Sequence, residues 1–122
     1  MDRLLAGESC RGVRMAIEDG YLLRIFVGES DRDGHHALYE SIVLKAREHG
    51  LAGATVTRGV MGYGKNSVLH TAKILRLSED LPMVIEIVDN REKIESFLPL
   101  LDMLVKDGLV TLEAIKVLHH GP

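Results

Sequence analysis

The sequence predicts one α+β domain, an antiparallel sheet with two helices on one face, built in the order β-α-β-β-α-β. Three observations lead there. Short runs of β-branched and aliphatic residues alternate with two stretches of helical periodicity. Glycines and capping residues punctuate these runs where elements should stop and start. A length of 122 residues with 46% hydrophobic content suits a single core and is short for two.

Residues 1–20 mix charges, glycines and short apolar pieces without a sustained period, and read as an N-terminal extension to a domain over 21–120. Leu22–Val27 (LLRIFV) is dense in strand formers, sets Leu23, Ile25 and Val27 on one face, and stops at Gly28. Across Ala37–His49, Leu38, Ile42 and Ala46 recur at helical spacing, and Gly50 supplies the C-terminal stop. Ala54–Arg58 (ATVTR) reads as the second strand.

Strand character resumes at Lys73–Leu77 (KILRL) and at Met83–Val88 (MVIEIV). Pro82 cannot donate to a ladder, so these are two strands or one strand bent at an edge. Asp89 followed by Glu92 has the spacing of an acidic N-cap with its N3 glutamate. The helix it opens carries the stripe Ile94, Phe97, Leu98, Leu101, Leu104 and Val105, with an interior Pro99 where a kink is expected. Leu112–Leu118 closes the domain as a strand. This order is the split βαβ, ferredoxin-like sandwich.

In such a sandwich the helices cover one side of the sheet. The opposite parity of the first strand offers Leu22 and Phe26 with Arg24 between them, and Met83–Val88 is apolar on both parities apart from Glu86. Two apolar faces with helices for one predict burial between subunits.

Several function classes are disfavoured by composition. A formal net charge of -3 provides no general attraction to a phosphate backbone, so nucleic acid is not expected as a partner. Cys10 is the single cysteine, which rules out an intrachain disulfide and paired-thiolate zinc sites and suits a reducing, cytoplasmic setting. No apolar run approaches the roughly 20 residues of a membrane span, and no direct membrane insertion is expected.

The connection Gly59–Asn66, GVMGYGKN, carries the functional expectation. Gly59, Gly62 and Gly64 let another molecule approach the main chain closely. It joins strand to strand, whereas a P-loop requires a helix to follow. Arg58, Gly62, Tyr63, Gly64, Lys65, Asn66 and Lys73 are the candidate ligand-binding residues, with Arg58, Lys65 and Lys73 supplying positive charge for an anion. Val60, Met61, Ser67 and His70 are the candidate contacts to a protein partner.

No catalytic or metal-binding residue is assigned. His35-His36 and His119-His120 are adjacent pairs, which in extended chain point to opposite sides and seldom chelate one ion alone; a site would need several elements or subunits, with Glu29 or Asp31 as further ligands. Ser30 and Ser67 lack a histidine and carboxylate in a recognised arrangement. ESDRD and SEDLP lack the ligand spacing of a calcium loop.

The segments LRIFVGESD, YESIVLKAREHGLAGATVTRGVMGYG, HTAKILRLSEDLPMVIEIVDN and GLVTLEAIKV resemble the PII-like proteins, most closely their domain-of-unknown-function family 190 branch. The likeness spans Leu22–Leu118 and leaves residues 1–20 outside. It implies a homotrimer whose sheets meet around an axis, clefts between subunits that take an adenine nucleotide or other small anionic effector, and a flexible partner-contacting loop over Gly59–Ala72. Membrane transporters are frequent partners in such systems. One departure is the turn after the second helix, Lys106-Asp107-Gly108, shorter than the glycine-rich basic turn that cradles phosphates in nucleotide-binding relatives.

The expected function is a trimeric regulatory protein rather than an enzyme. The alternative is a divalent-metal-responsive trimer resembling the cation-tolerance proteins. An acylphosphatase shares the topology, but GESDRDG supplies Arg32 without the surrounding phosphate-holding pattern.

Overall fold

The computed structural model describes residues 16–63, 70–71 and 80–119, with 70–71 described by backbone alone. Its main sheet contains β1 (Ala16–Gly28), β4 (Thr55–Arg58), β7 (Pro82–Asp89) and β8 (Leu109–His119) in the order β4-β7-β1-β8. All three pairings are antiparallel. Two small ribbons complete the strands: β2 (Arg32–Asp33) with β3 (His36–Ala37), and β5 (Met61–Gly62) with β6 (His70–Thr71). Among the described residues the helices are α1 (Leu38–Glu48) and α2 (Arg91–Leu104). The expected ferredoxin-like α+β fold is present, while Lys73–Leu77 lies outside the described residues.

Strand β1 begins earlier than its apolar density suggested. Ala16–Gly20 pairs with His119–Ile115 of β8, so a polar stretch of the sequence is strand because a partner ladder satisfies its backbone. The side chains add Lys116 to Asp19 and His119 Nε2 to Glu18 at 3.3 Å. Strand β8 likewise runs from Leu109 rather than Leu112.

Helix α1 ends as its glycine predicts. Gly50 takes φ 89°, its amide donates to Arg47 at 3.1 Å, and the Leu51 amide donates to Ala46 at 3.0 Å. This is a Schellman closure, with buried Leu51 completing the apolar contact. The start of α2 corrects the expected cap. Asn90, not Asp89, is the N-cap: its side chain accepts from the Lys93 amide at 2.8 Å, which makes Lys93 rather than Glu92 the N3 residue. Asp89 instead accepts from the Ala52 amide at 2.9 Å and ties the loop after α1 to the end of β7. Pro99 sits inside α2.

The core lies between the sheet and the helices. Leu23, Ile25 and Val27 meet Met83, Ile85 and Ile87 from β7, Leu38, Ile42 and Ala46 from α1, and Ile94, Phe97 and Leu101 from α2. Leu98, Leu104 and Val105 pack around its margin. The anticipated parity holds residue for residue on β1.

The helix-free face is read from the strand registers. Phe26 sits between Val84 and Leu109, Leu22 between Val88 and Glu113, and Arg24 between Glu86 and Thr111. Leu22, Phe26 and Val84 are half-buried, whereas Val88 and Leu109 are exposed. Arg24 Nε donates to Glu86 Oε2 at 2.7 Å, and its Nη1 stands 3.8 Å from Glu113. The hydrogen bond that Arg24 donates to Glu86 raises the Arg24 pKa above its usual value, opposed by desolvation and aided by the charges of Glu86 and Glu113. The face is thus two apolar bands separated by a paired charge row.

Candidate functional site at the root of the glycine-rich connection

The glycine-rich connection leaves the sheet at the end of β4, where two backbone segments brace it. The Gly59 amide donates to the Pro82 carbonyl at 2.7 Å, extending the β4–β7 ladder by one step. Gly59 and Gly62 both lie against the Pro82 ring: a β-carbon would stand 2.7 Å from Pro82 Cγ at Gly59 and 3.0 Å from it at Gly62. Glycine is required at Gly59 for this close approach. Pro82, first residue of β7, can occupy a strand end because no ladder bond is asked of its nitrogen.

The second brace is the turn after β1. The Glu29 amide donates to the Leu81 carbonyl at 2.8 Å, and the Ser30 amide donates to Asp80 Oδ1 at 2.7 Å. Asp31 Oδ2 accepts from the Gly28 amide at 2.9 Å, while the Asp31 carbonyl accepts from Leu38 at the start of α1. The outgoing end of the connection, its returning end and the entrance to α1 therefore converge on Gly28–Asp31.

Arg58 is the cation at this root. Its side chain is 57% exposed and its Nη2 lies 3.0 Å from Glu29 Oε2. An exposed guanidinium with fixed neighbours can present a planar fork to a carboxylate or phosphate. Beyond it, Val60, Met61 and Tyr63 are 74%, 56% and 77% exposed, and Met61 belongs to the β5–β6 ribbon.

The described structure thus brings Arg58, Gly62 and Tyr63 to one end of the sheet, beside Val60 and Met61. Gly64, Lys65, Asn66, Ser67 and Lys73 lie outside the described residues, and His70 is described only as a β6 position. Asp80 and Pro82 have no place among the candidates from sequence, and Glu29 enters there only as a further ligand to a histidine metal site. Their contacts to the root are long-range, and local spacing carries no signal for them beyond the carboxylates of ESD and SEDLP.

Among the described residues, no group of three or more histidine, cysteine or carboxylate side chains could hold a metal ion. His35 and His36 are exposed on the β2–β3 ribbon. No helix among the described residues is long and apolar enough to cross a membrane.

The comparisons with known proteins agree with this architecture. A UPF0166 protein of Aquifex aeolicus is 40% identical over 99 residues, 80% of this chain and 92% of that one. A UPF0166 protein of Methanocaldococcus jannaschii is 37% identical over 92 residues, covering 75% and 84%. Among solved structures, CPII of Thiomonas intermedia K12, a nitrogen regulatory PII-like protein bound to ADP, AMP and bicarbonate, superposes with a TM-score of 0.59 at 17% identity, covering 84% of this chain and 91% of that one. The GlnK–ATP complex of B. subtilis superposes with a TM-score of 0.52 at 16% identity, covering 80% and 82%. At these identities the structures establish a shared fold. Residues 20–117 match the family DUF190, Uncharacterized ACR. With a PII-like fold and that match over most of its length, the chain belongs to the DUF190 family.

Proposed function

We propose that this chain is a PII-like regulatory protein whose homotrimer binds a small nucleotide-like or anionic ligand in clefts between subunits and contacts a protein target through connection 59–72. The observation that carries the reading is Arg58: an exposed guanidinium at the braced root of a glycine-rich connection. The fold is one on which CPII is seen with ADP, AMP and bicarbonate and GlnK with ATP.

The remaining ligand-binding assignments follow from the sequence. Lys65 and Lys73 would add positive charge to that of Arg58, Gly62 and Gly64 would offer backbone amides, and Tyr63 and Asn66 would complete the contacts. Binding would order the connection, and that change would be read by the target through Val60, Met61, Ser67 and His70. A membrane transporter is one class of target compatible with the reading, and the protein acts as a regulator rather than an enzyme, in the cytoplasm.

The helix-free face supports the oligomer. Leu22, Phe26, Val84, Val88 and Leu109 form apolar bands that no helix of the described chain covers. Association through this face would bury them and place neighbouring subunits beside each other's connection roots.

A thermal-shift panel of ADP, AMP, ATP, bicarbonate, phosphate and divalent metals tests the function. A ligand at 100 times its Kd stabilises by about 2.7 kcal/mol. The reading expects a shift with at least one nucleotide, abolished by Arg58→Ala. Shifts with metals alone, reversed by chelator, would replace it with a metal-responsive trimer.

A further inference from the structure

The proposed anion site already holds a carboxylate of its own. Glu29 Oε2 lies 3.0 Å from Arg58 Nη2, and the Glu29 side chain is 27% exposed against 57% for its partner. The Glu29 backbone is held independently of the ion pair. The Glu29 amide is fixed to Leu81 at 2.8 Å, the next amide is fixed to Asp80 at 2.7 Å, and the Asp80 carboxylate lies 2.8 Å from where a Gly28 β-carbon would stand. Were Arg58 to turn toward a ligand, the backbone that carries Glu29 would keep its contacts to Leu81 and Asp80.

We propose that Glu29 is a built-in competitor for the Arg58 guanidinium, occupying it in the empty protein and lowering the affinity for nucleoside phosphates. The inference rests on the reading of Arg58 as an anion-binding residue. A phosphate can displace the carboxylate because exposed ion pairs are weak and a phosphate offers the guanidinium fork more oxygens and more charge. Displacement exchanges one ion pair for another while the turn keeps its contacts to Leu81 and Asp80.

The test is calorimetric titration of ADP into the wild-type chain, Glu29→Gln, Arg58→Gln and Glu48→Gln. Glu48 is exposed at the end of α1, so its replacement controls for the change in net charge. Glu29→Gln should bind ADP about three- to five-fold tighter at low ionic strength, the scale of an exposed ion pair. The gain should shrink at high salt, and Glu48→Gln should show none. Unchanged or weaker binding by Glu29→Gln, with Arg58→Gln losing ADP, would overturn the competitor role and leave Arg58 as the ligand residue. Absence of ADP binding by both the wild type and Glu29→Gln would remove both.

Discussion

Gly59 lies flat against Pro82, donating its amide to the Pro82 carbonyl at 2.7 Å while its α-carbon faces the proline ring. This relationship sets the direction in which the connection leaves the sheet. A methyl at Gly59 would stand 2.7 Å from Cγ of a ring that cannot rotate away. Gly59→Ala is therefore expected to destabilise the fold by about 1–3 kcal/mol, the usual scale of overpacking. Urea unfolding measures it, and an unaltered midpoint would show that the contact yields freely.

The cap of α2 yields a prediction that separates two neighbouring residues. Asn90→Ala removes the acceptor for the Lys93 amide and should cost about 1 kcal/mol. Asp89→Ala leaves that cap in place and removes the contact to the Ala52 amide, so its effect should centre on the loop after α1. Hydrogen exchange at the Lys93 amide distinguishes them: it should accelerate in Asn90→Ala and not in Asp89→Ala.

The core offers a larger effect. Phe97 is fully buried on α2 with its ring 5.6 Å from that of His49. Phe97→Ala should cost about 3–5 kcal/mol through lost transfer energy and the cavity left behind. A denaturation curve gives the number, and a loss under about 1 kcal/mol would contradict the packing described.

The helix-free face gives a prediction about assembly. Phe26 stands between Val84 and Leu109, so Phe26→Glu places a charge inside the apolar band without touching the core face of β1. The variant is expected to remain folded by circular dichroism and to lose association in sedimentation. Unchanged association would move the interface elsewhere on the molecule.

Much of this architecture is legible in the sequence, and the reasons are local. Leu23, Ile25 and Val27 alternate because a strand has a period of two, and Leu38, Ile42 and Ala46 recur because a helix turns every 3.6 residues. Gly50 announces its own left-handed conformation. The cap of α2 is displaced by one position because Asp89 and Asn90 are both capable caps, and the Glu92 spacing favours the one that the fold uses for a different contact. Ala16–Gly20 is hidden because its strand character comes from pairing with β8 and not from its own composition. At the candidate site, glycine content and charge pointed to Arg58 and its connection, whereas Glu29, Asp80 and Pro82 became visible only once distant segments met.

Lys65 extends the test of the site into the connection itself. Lys65→Ala should weaken ADP binding in calorimetric titration. Equal ADP affinity in the variant and the wild type would remove Lys65 from the site.

Clefts between subunits of the proposed kind exist only if subunits associate through the uncovered side of the sheet. The solution mass of the full chain by light scattering tests this most directly. Three times the 13.5 kDa chain mass is the expected result, and a particle of one chain mass across the working concentration range would contradict it.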